Sequence, residues 1–392
     1  MKKYLNIVAD AHIWGVESAF SMLPGYDVQL HILEAANICN AALKNADVLI
    51  TRSSTKVDGA LLGGTPVRFA ATATIGDDHY DKTYLAEHNI AFANAAGSST
   101  GSVIEYMLTV LLTLHAKKLI YLPQTRLGII GVGRIGGGLA DICTKLNINT
   151  LRNDPPRARN EDANSFSSLD ELLENADVLS LHTPLNRSGK DCTVHLLNAA
   201  TLSHFKGRGI INTGRGACLD NSALLDWLNA DNARFAVLDC WENEPGISTT
   251  LLAHPQVTIA TPHIAGHSLD GKAANSQFAY HALCRWLAIE PLWNMQQALP
   301  PDDAPVNINC SVDTWTNLHA AATALYPVLR DDAALRSAGT TANSVAQSFA
   351  NYRRHYPIRR AWSHAPIRLL DASSKAANET KRLAHAIGLQ LI

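Results

Sequence analysis

Residues 127–146 read as a short apolar strand, Leu127–Ile130, a turn with three glycines, Gly131-Val132-Gly133-Arg134-Ile135-Gly136, and a helix, Ile135–Leu146. A helix that follows a strand this closely must cross over the sheet to reach a parallel neighbour, so the motif commits the chain to parallel βα units. The turn also carries chemistry. Its first glycine permits a tight bend, its second lets the backbone approach a pyrophosphate, and its third lets the helix pack close to the strand. Free N–H groups and the positive end of the helix dipole then face the phosphates. Gly131, Gly133, Arg134, Ile135 and Gly136 are thus the expected phosphate-side residues. Asp154 follows about twenty residues on, where a carboxylate accepts from ribose hydroxyls and repels a 2′-phosphate. The expected cofactor is NAD rather than NADP, with Arg152 and Arg157 softening that preference.

Strand and helix alternate on both sides of this motif. Upstream, Leu5–Ala9, Val48–Thr51, Val67–Ala71 and Ile90–Ala93 read as strands, and Asp58–Leu62 and Lys82–Glu87 as short helices. Val103, Met107, Val110, Leu111 and Leu114 recur at helical spacing between an N-cap at Ser102 and the basic pair Lys117–Lys118. Downstream, strands are expected at Thr150–Arg152, Val178–His182, Ile210–Asn212, Phe235–Asp239 and Val257–Ala260, and helices at Leu169–Glu174 and Ser222–Asn229. Past Glu290–Pro291, the stretch Leu299-Pro300-Pro301-Asp302-Asp303 with Pro305 reads as a linker, and Trp315–Leu329 and Asn343–His355 as helices. The expected fold class is α/β: two doubly wound, Rossmann-like domains and a smaller C-terminal α+β domain. The expected boundaries are 1–100 with a return segment at 268–291, then 101–267 for the dinucleotide domain, then 292–392.

Composition narrows the partners. Among 392 residues, 33 Lys and Arg nearly balance 35 Asp and Glu, so no basic field exists for a polyanion and nucleic acid is not expected as a partner. Seven cysteines without a CxxC pair fit a reducing compartment better than a disulfide framework. Lys2 and Lys3 are followed by Asn6 and Asp10, which interrupt any signal-peptide core. The apolar run Met107–Leu114 lies between Glu105 and His115, too short to cross a bilayer. A cytoplasmic protein without membrane contact is expected.

Four segments end expected strands, where open α/β sheets place their ligands. They are His182-Thr183-Pro184-Leu185, Asn212-Thr213-Gly214-Arg215-Gly216, Asp239-Cys240-Trp241-Glu242-Asn243-Glu244-Pro245 and Thr261-Pro262-His263-Ile264-Ala265-Gly266. They contain an arginine, a glutamate and a histidine suited to hydride transfer at a hydroxyl-bearing carbon beside a carboxylate. The guanidinium fork binds carboxylate and carbonyl oxygens, the imidazole shuttles the hydroxyl proton, and the carboxylate stabilises the imidazolium.

On these residues the chain resembles the D-2-hydroxyacid dehydrogenases. The pattern covers Gly131–Gly136, Asp154, the HTPL at 182–185, Arg215, Glu244 and His263. A narrower branch is marked by Arg52–Val57, Thr72–Gly76, Asp154–Arg157, His263–Gly266 and, in the tail, Leu329–Asp332 and Asn351–Arg354. The resemblance implies that Arg215, Glu244 and His263 form the catalytic set. It places Thr183, Thr213, Gly214, Asp239 and Gly266 near the nicotinamide half, and Arg52, Ser53, Thr74 and His267 at a phosphorylated 2-hydroxy acid. It also implies a homodimer formed through the C-terminal region. Tyrosine is expected at 267, where this chain has His267.

Plainer readings compete. Asp239 could be a strand-end or helix-capping acid, and Cys218 and Cys240 small packing residues. His263 and His267 sit four apart with Gly266 between them, but no HExxH is present and no nearby cysteine or carboxylate is expected to complete a ligand set; no metal is expected. Arg353, Arg354, Arg359 and Arg360, interleaved with Tyr352, Tyr356 and Trp362, read as a solvated face or a subunit contact. Gly97-Ser98-Ser99-Thr100-Gly101 satisfies GxSxG, with Asp239 and His263 following in the chain order of a hydrolase triad, yet that reading leaves the glycine turn, Arg215 and Glu244 without roles. A non-catalytic NAD sensor on the same fold is the other alternative.

Overall fold

The computed structural model describes residues 2–337, 339–371 and 375–392. The chain divides into two compact units, Met1–Ser99 with Ser268–Pro301, and Thr100–His267 with Asp302–Ile392.

The first unit is built on five parallel strands: β1 (Lys3–Asp10), β2 (Tyr26–Leu33), β3 (Val48–Thr51), β4 (Phe69–Thr72) and β5 (Ala91–Asn94), in the order β2-β1-β3-β4-β5. β3 and β4 are buried along their whole length, as befits strands covered on both faces. β2, at the edge, alternates half-buried and exposed residues, so its sequence lacks an apolar run. The return segment forms the helix Leu269–Leu287, capped by Ser268, whose Oγ accepts the Gly271 N–H at 2.9 Å. Ala279, Tyr280 and Leu283 of that helix close the core over Phe20 and Phe69.

The second unit carries six parallel strands: β6 (Arg126–Ile130), β7 (Asn149–Asn153), β8 (Val178–Leu181), β9 (Gly209–Asn212), β10 (Phe235–Leu238) and β11 (Val257–Ala260), in the order β11-β10-β9-β8-β6-β7. After β7 the chain returns past β6 to lay β8 on its other side. The glycine turn therefore leaves the sheet at the point where strand order reverses, the preferred ligand position in such sheets. The helix entering this unit spans Thr100–Ala116. Ser102 is buried inside it rather than capping it.

The small C-terminal region, residues 302–392, shares a compact unit with Thr100–His267 and packs into its core. Leu318, Ala321, Ala322, Tyr326 and Val328 enter the cluster formed with the helix Thr100–Ala116, whereas Leu335, Val345 and Phe349 enter a second cluster with Leu238 and Trp241. It differs from the sequence expectation in one way: the expected helix Trp315–Leu329 is two helices, Thr314–Leu325 and Val328–Arg336, divided at Pro327. Proline has no N–H for the helical ladder and disfavours helical geometry in the preceding residue, Tyr326. The region also contains a parallel pair, β12 (Val306–Asn309) and β13 (Ile367–Leu370), and the helix Lys375–Ala386.

Candidate active site

The glycine turn has the geometry its sequence implies. Gly131 sits at φ +85°, and a Cβ there would meet the Thr183 nitrogen at 2.9 Å. Gly133 caps the helix Arg134–Lys145 and faces open space, with no heavy atom within 4 Å of where a Cβ would stand. A Cβ on Gly136 would overlap the Gly131 carbonyl oxygen. One glycine makes the bend, one leaves room for a ligand, and one lets helix meet strand. Arg134 is exposed at the first helical turn and Ile135 half-buried.

Asp154 lies half-buried at the end of β7 and organises the same turn. Its Oδ2 accepts the Val132 N–H at 2.8 Å, and its Oδ1 caps the helix Pro155–Ala158 through the Arg157 N–H at 3.1 Å. Arg157 forks onto Glu161 at 2.7 and 2.6 Å and donates to the Val132 carbonyl at 2.5 Å. Of the two arginines expected to soften NAD selectivity, Arg157 therefore already has a carboxylate partner.

β8 and β9 deliver the neighbouring wall. Thr183 is buried, and its Oγ1 has no hydrogen-bond partner, an unmet polar atom beside the glycine turn that a nicotinamide dinucleotide can satisfy. Thr213 Oγ1 lies 3.0 Å from His182 Nδ1, and His182 Nε2 lies 2.8 Å from Ser180 Oγ. Burial lowers the His182 pKa to about 4, so the ring is neutral at pH 7. Gly214 donates to Asn212 Oδ1 at 3.1 Å, and a Cβ on it would press on Thr183.

The proposed proton shuttle follows β10 and β11. His263 and Glu244 meet at 2.8 Å between Nδ1 and Oε2, and Glu244 Oε1 accepts the Trp241 N–H at 2.7 Å. Burial raises the Glu244 pKa, but the charge and hydrogen bond of His263, the Trp241 N–H and the charge of Arg353 outweigh it and hold the carboxyl below its ordinary value. His263 has φ +54°, uncommon for a side-chain-bearing residue. Asp239 explains how that backbone is held. Its buried carboxylate accepts the Thr261 hydroxyl and the Ile264 N–H, both at 2.7 Å, and the Ala265 N–H at 3.0 Å. Asp239, expected beside the nicotinamide half, thus uses both carboxylate oxygens to hold the histidine loop. Gly266 and His267 close that loop, the His267 N–H donating to the Ile264 carbonyl at 2.9 Å. Arg215 follows β9 and donates from Nη1 to the Gly214 carbonyl at 2.9 Å. Gly216 lets this segment pass against the Trp241 backbone.

In the other unit, Arg52, Ser53 and Thr74 follow β3 and β4 at the carboxyl edge of that sheet. Arg52 Nε donates to Asp10 Oδ1 at 3.2 Å, and the nearby Lys56 pairs with Asp58 at 2.8 Å. Ser53 is exposed; Thr74 Oγ1 lies 2.7 Å from Thr72 Oγ1 and 2.9 Å from the Gly76 carbonyl.

Three competing readings change. The ring of His263 is oriented by Glu244, not by Asp239, and Ser99 of the GxSxG segment is buried, so no hydrolase triad forms. His263 does have a carboxylate and a cysteine beside it: ligand atoms of Cys240, Glu244 and His263 lie within 4.8 Å of one another. Burial pushes the Cys240 thiol well above its ordinary value, and it donates to the Gly214 carbonyl at 3.3 Å, the behaviour of a packing thiol. Arg359 and Arg360 are not solvated: they are 5% and 7% exposed. His182 and Trp241 lie in the expected strand-end segments but are not singled out as site residues by the sequence; the position of each just beyond a strand is the available signal.

Fold and site together define a nicotinamide-dependent dehydrogenase of the α/β class. The family of D-isomer-specific 2-hydroxyacid dehydrogenases, NAD-binding domain, matches residues 113–265, and a domain family of unknown function (DUF3410) matches 299–383. An erythronate-4-phosphate dehydrogenase of Marinobacter nauticus is 40% identical over 392 residues, covering 98% of this chain and 99% of its own. That of Hydrogenovibrio crunogenus is 39% identical over 89% of this chain and 90% of its own. Among solved structures, a D-lactate dehydrogenase of Treponema pallidum is 28% identical, with a TM-score of 0.57 over 72% of this chain and 97% of its own. The D-lactate dehydrogenase of Aquifex aeolicus, complexed with NAD and lactic acid, shares the fold at 23% identity and a TM-score of 0.60, over 72% of this chain and 96% of its own. The chain belongs to the D-2-hydroxyacid dehydrogenase family, in its erythronate-4-phosphate dehydrogenase branch.

Proposed function

We propose that the chain oxidises 4-phospho-D-erythronate at C2 to 2-oxo-3-hydroxy-4-phosphobutanoate, with NAD as hydride acceptor, as a step toward pyridoxal phosphate. The observation that carries this reading is the 2.8 Å contact between His263 and Glu244 on the same sheet edge as the glycine turn. With Nδ1 engaged by Glu244, His263 takes the C2 hydroxyl proton at Nε2, and Glu244 balances the charge that forms. Arg215 orients the substrate carboxylate and polarises the forming carbonyl. Gly131, Gly133, Arg134, Ile135 and Gly136 hold the pyrophosphate, Asp154 the ribose, and Thr183, Thr213, Gly214 and Gly266 the nicotinamide half, with Asp239 acting through the loop. Arg52, Ser53, Thr74 and His267 are the proposed substrate contacts. An NADH absorbance assay across phosphorylated and plain 2-hydroxy acids tests the assignment: turnover with 4-phospho-D-erythronate supports it, and preference for 3-phosphoglycerate or a plain acid redirects it.

A cytoplasmic homodimer completes the proposal. Among the described residues no helix is long and apolar enough to cross a membrane, and none of the seven cysteines is in a disulfide. Exposed Val312 and Ile358 in the C-terminal region support a subunit contact there. Truncation at residue 292 does not test it, because it removes part of the first unit's segment and the residues that complete the second unit's core. Light scattering of the full chain and of Ile358→Asp does; a wild-type monomer sinks the idea.

A further inference from the structure

Between Tyr326 and Arg360 the C-terminal region buries charges that the proposed reaction does not use. At 358–360 the usual polarity is inverted: Ile358 is 77% exposed, while Arg359 and Arg360 are buried. The Arg359 guanidinium lies 3.8 Å from the centre of the Tyr326 ring, and its Nη2 donates to the Ala265 carbonyl at 2.9 Å. Its Nε and Nη1 have no hydrogen-bond partner. Asp331 and Glu105 balance the charge through space. Asp331, wholly buried, accepts the Tyr352 and Tyr356 hydroxyls, each at 2.7 Å, and Glu105 accepts the Trp362 N–H at 2.9 Å. Tyr356 in turn meets the His267 ring edge-on at 5.9 Å.

A guanidinium withdrawn from water with so few acceptors is a costly arrangement, and its one hydrogen bond to the backbone shows where it acts. Ala265 lies two residues beyond His263, whose left-handed backbone persists only if the surrounding loop is held. From the sheet side, Asp239 holds that loop by the Thr261 hydroxyl and the Ile264 and Ala265 N–H groups. Arg359 holds Ala265 by its other end, the carbonyl. The loop is thus gripped between a buried anion from β10 and a buried cation from the C-terminal region.

We infer that Arg359 is a positioning residue for the reaction: seated on Tyr326, it fixes the Ala265 carbonyl and thereby keeps the His263 ring aligned on Glu244. This rests on the assignment of His263 as proton acceptor. It makes residues 326–360 part of the reaction apparatus, whatever they contribute to subunit contact. Arg353, from the helix Ala342–Arg354, adds its charge to the field at Glu244 from the same region.

The test compares full-length wild type with Arg359→Met, which keeps the length of the side chain without its charge or donors. The expected result is a kcat lower by roughly 10–100-fold, the scale of an ångström-sized misplacement. The substrate KM and the NAD dissociation constant should stay within about threefold. The downfield proton resonance of His263 Nδ1–H bonded to Glu244 should weaken or vanish. A kcat within about twofold of wild type with that resonance intact overturns the inference, as does a change confined to KM. Should Arg359→Met fail to fold, Tyr326→Leu, an apolar exchange that removes the ring beneath the guanidinium, decides the question by the same two readouts. If wild-type protein reduces no NAD with any 2-hydroxy acid, the reaction assignment fails. The resonance still reports whether Arg359 sets the ring.

Discussion

Nδ1 of His263 and Oε2 of Glu244 stand 2.8 Å apart, and the second glutamate oxygen is tied to the Trp241 N–H at 2.7 Å. The pair is oriented before substrate arrives, and Nε2 is the nitrogen left for the hydroxyl proton. His263→Ala should therefore cut the oxidation rate by roughly 10²–10⁴, the usual worth of a general base. NAD affinity, measured by fluorescence titration, should stay nearly constant. A rate within tenfold of wild type would remove His263 from its role.

Glu244→Gln separates orientation from charge. The amide keeps a hydrogen-bond acceptor for Nδ1 but no longer balances a protonated ring. Reduction, which starts from protonated His263, should slow by about tenfold or more at neutral pH, and oxidation by less. Equal slowing in both directions, read from initial rates, would mean that Glu244 only orients.

Two glycine substitutions in one turn should fail differently. Gly133→Ala points its methyl into open space, so the protein should melt near wild type while its NAD dissociation constant rises about tenfold or more, a cost of about 1.4 kcal/mol. Gly136→Val collides with the Gly131 carbonyl, so stability itself should fall, by about 2 kcal/mol or more. Thermal melts and calorimetry on both variants distinguish the outcomes.

Coenzyme choice should follow Asp154. With Arg157 already forked onto Glu161, only Arg152 of the two flanking arginines is left to offset the carboxylate, and NAD should bind at least about tenfold more tightly than NADP. Asp154→Ser keeps the helix cap but drops the charge, so the two constants should converge. Wild type binding both equally would show that Arg152, or Arg157 released from Glu161, compensates the 2′-phosphate.

Acid stability should report His182. Its folded pKa is about 4 against 6.5 for the free side chain, because burial disfavours the charged ring. As pH falls, the unfolded chain takes the proton first. The stabilisation is complete above about pH 6.5 and is lost progressively down to about pH 4, a span worth about 3 kcal/mol. His182→Gln cannot titrate there, and its urea midpoint should fall less steeply over that interval. Parallel curves would show that His182 is not the group responsible.

What the sequence discloses follows from how local each signal is. The glycine turn is legible because one bend, one approach and one close packing each demand glycine at a set place. β3, β4 and the inner strands β8, β9 and β10 of the second sheet are legible as largely apolar runs, since both faces are covered, whereas β7 at the edge of that sheet is polar and only half-buried. β2 is not legible, because an edge strand mixes half-buried and exposed residues. Arg215, Glu244 and His263 each follow a strand, so their convergence on one sheet edge can be anticipated. The carboxylate nearer to Thr261–Ala265 cannot: Asp239 and Glu244 lie five residues apart, and only the turn at 241–244 decides which one reaches the ring. The burial of Arg359 is equally hidden. A run of arginines reads as surface until the Tyr326 ring, Asp331 and the Ala265 carbonyl are brought to it from elsewhere.

Both units are assembled from segments distant in the chain, and this sets the order in which a growing polypeptide can become native. The sheet β1–β5 lacks its covering helix until Leu269–Leu287 has been made. The sheet β6–β11 then waits for residues 302–392, whose Leu318, Tyr326, Leu335 and Phe349 fill both of its cores. At about 5–20 residues per second, a nascent chain therefore spends several seconds with apolar sheet faces uncovered. Residues 302–392, made after the sheet they cover, end this exposure, which ties productive folding of the dinucleotide unit to uninterrupted synthesis.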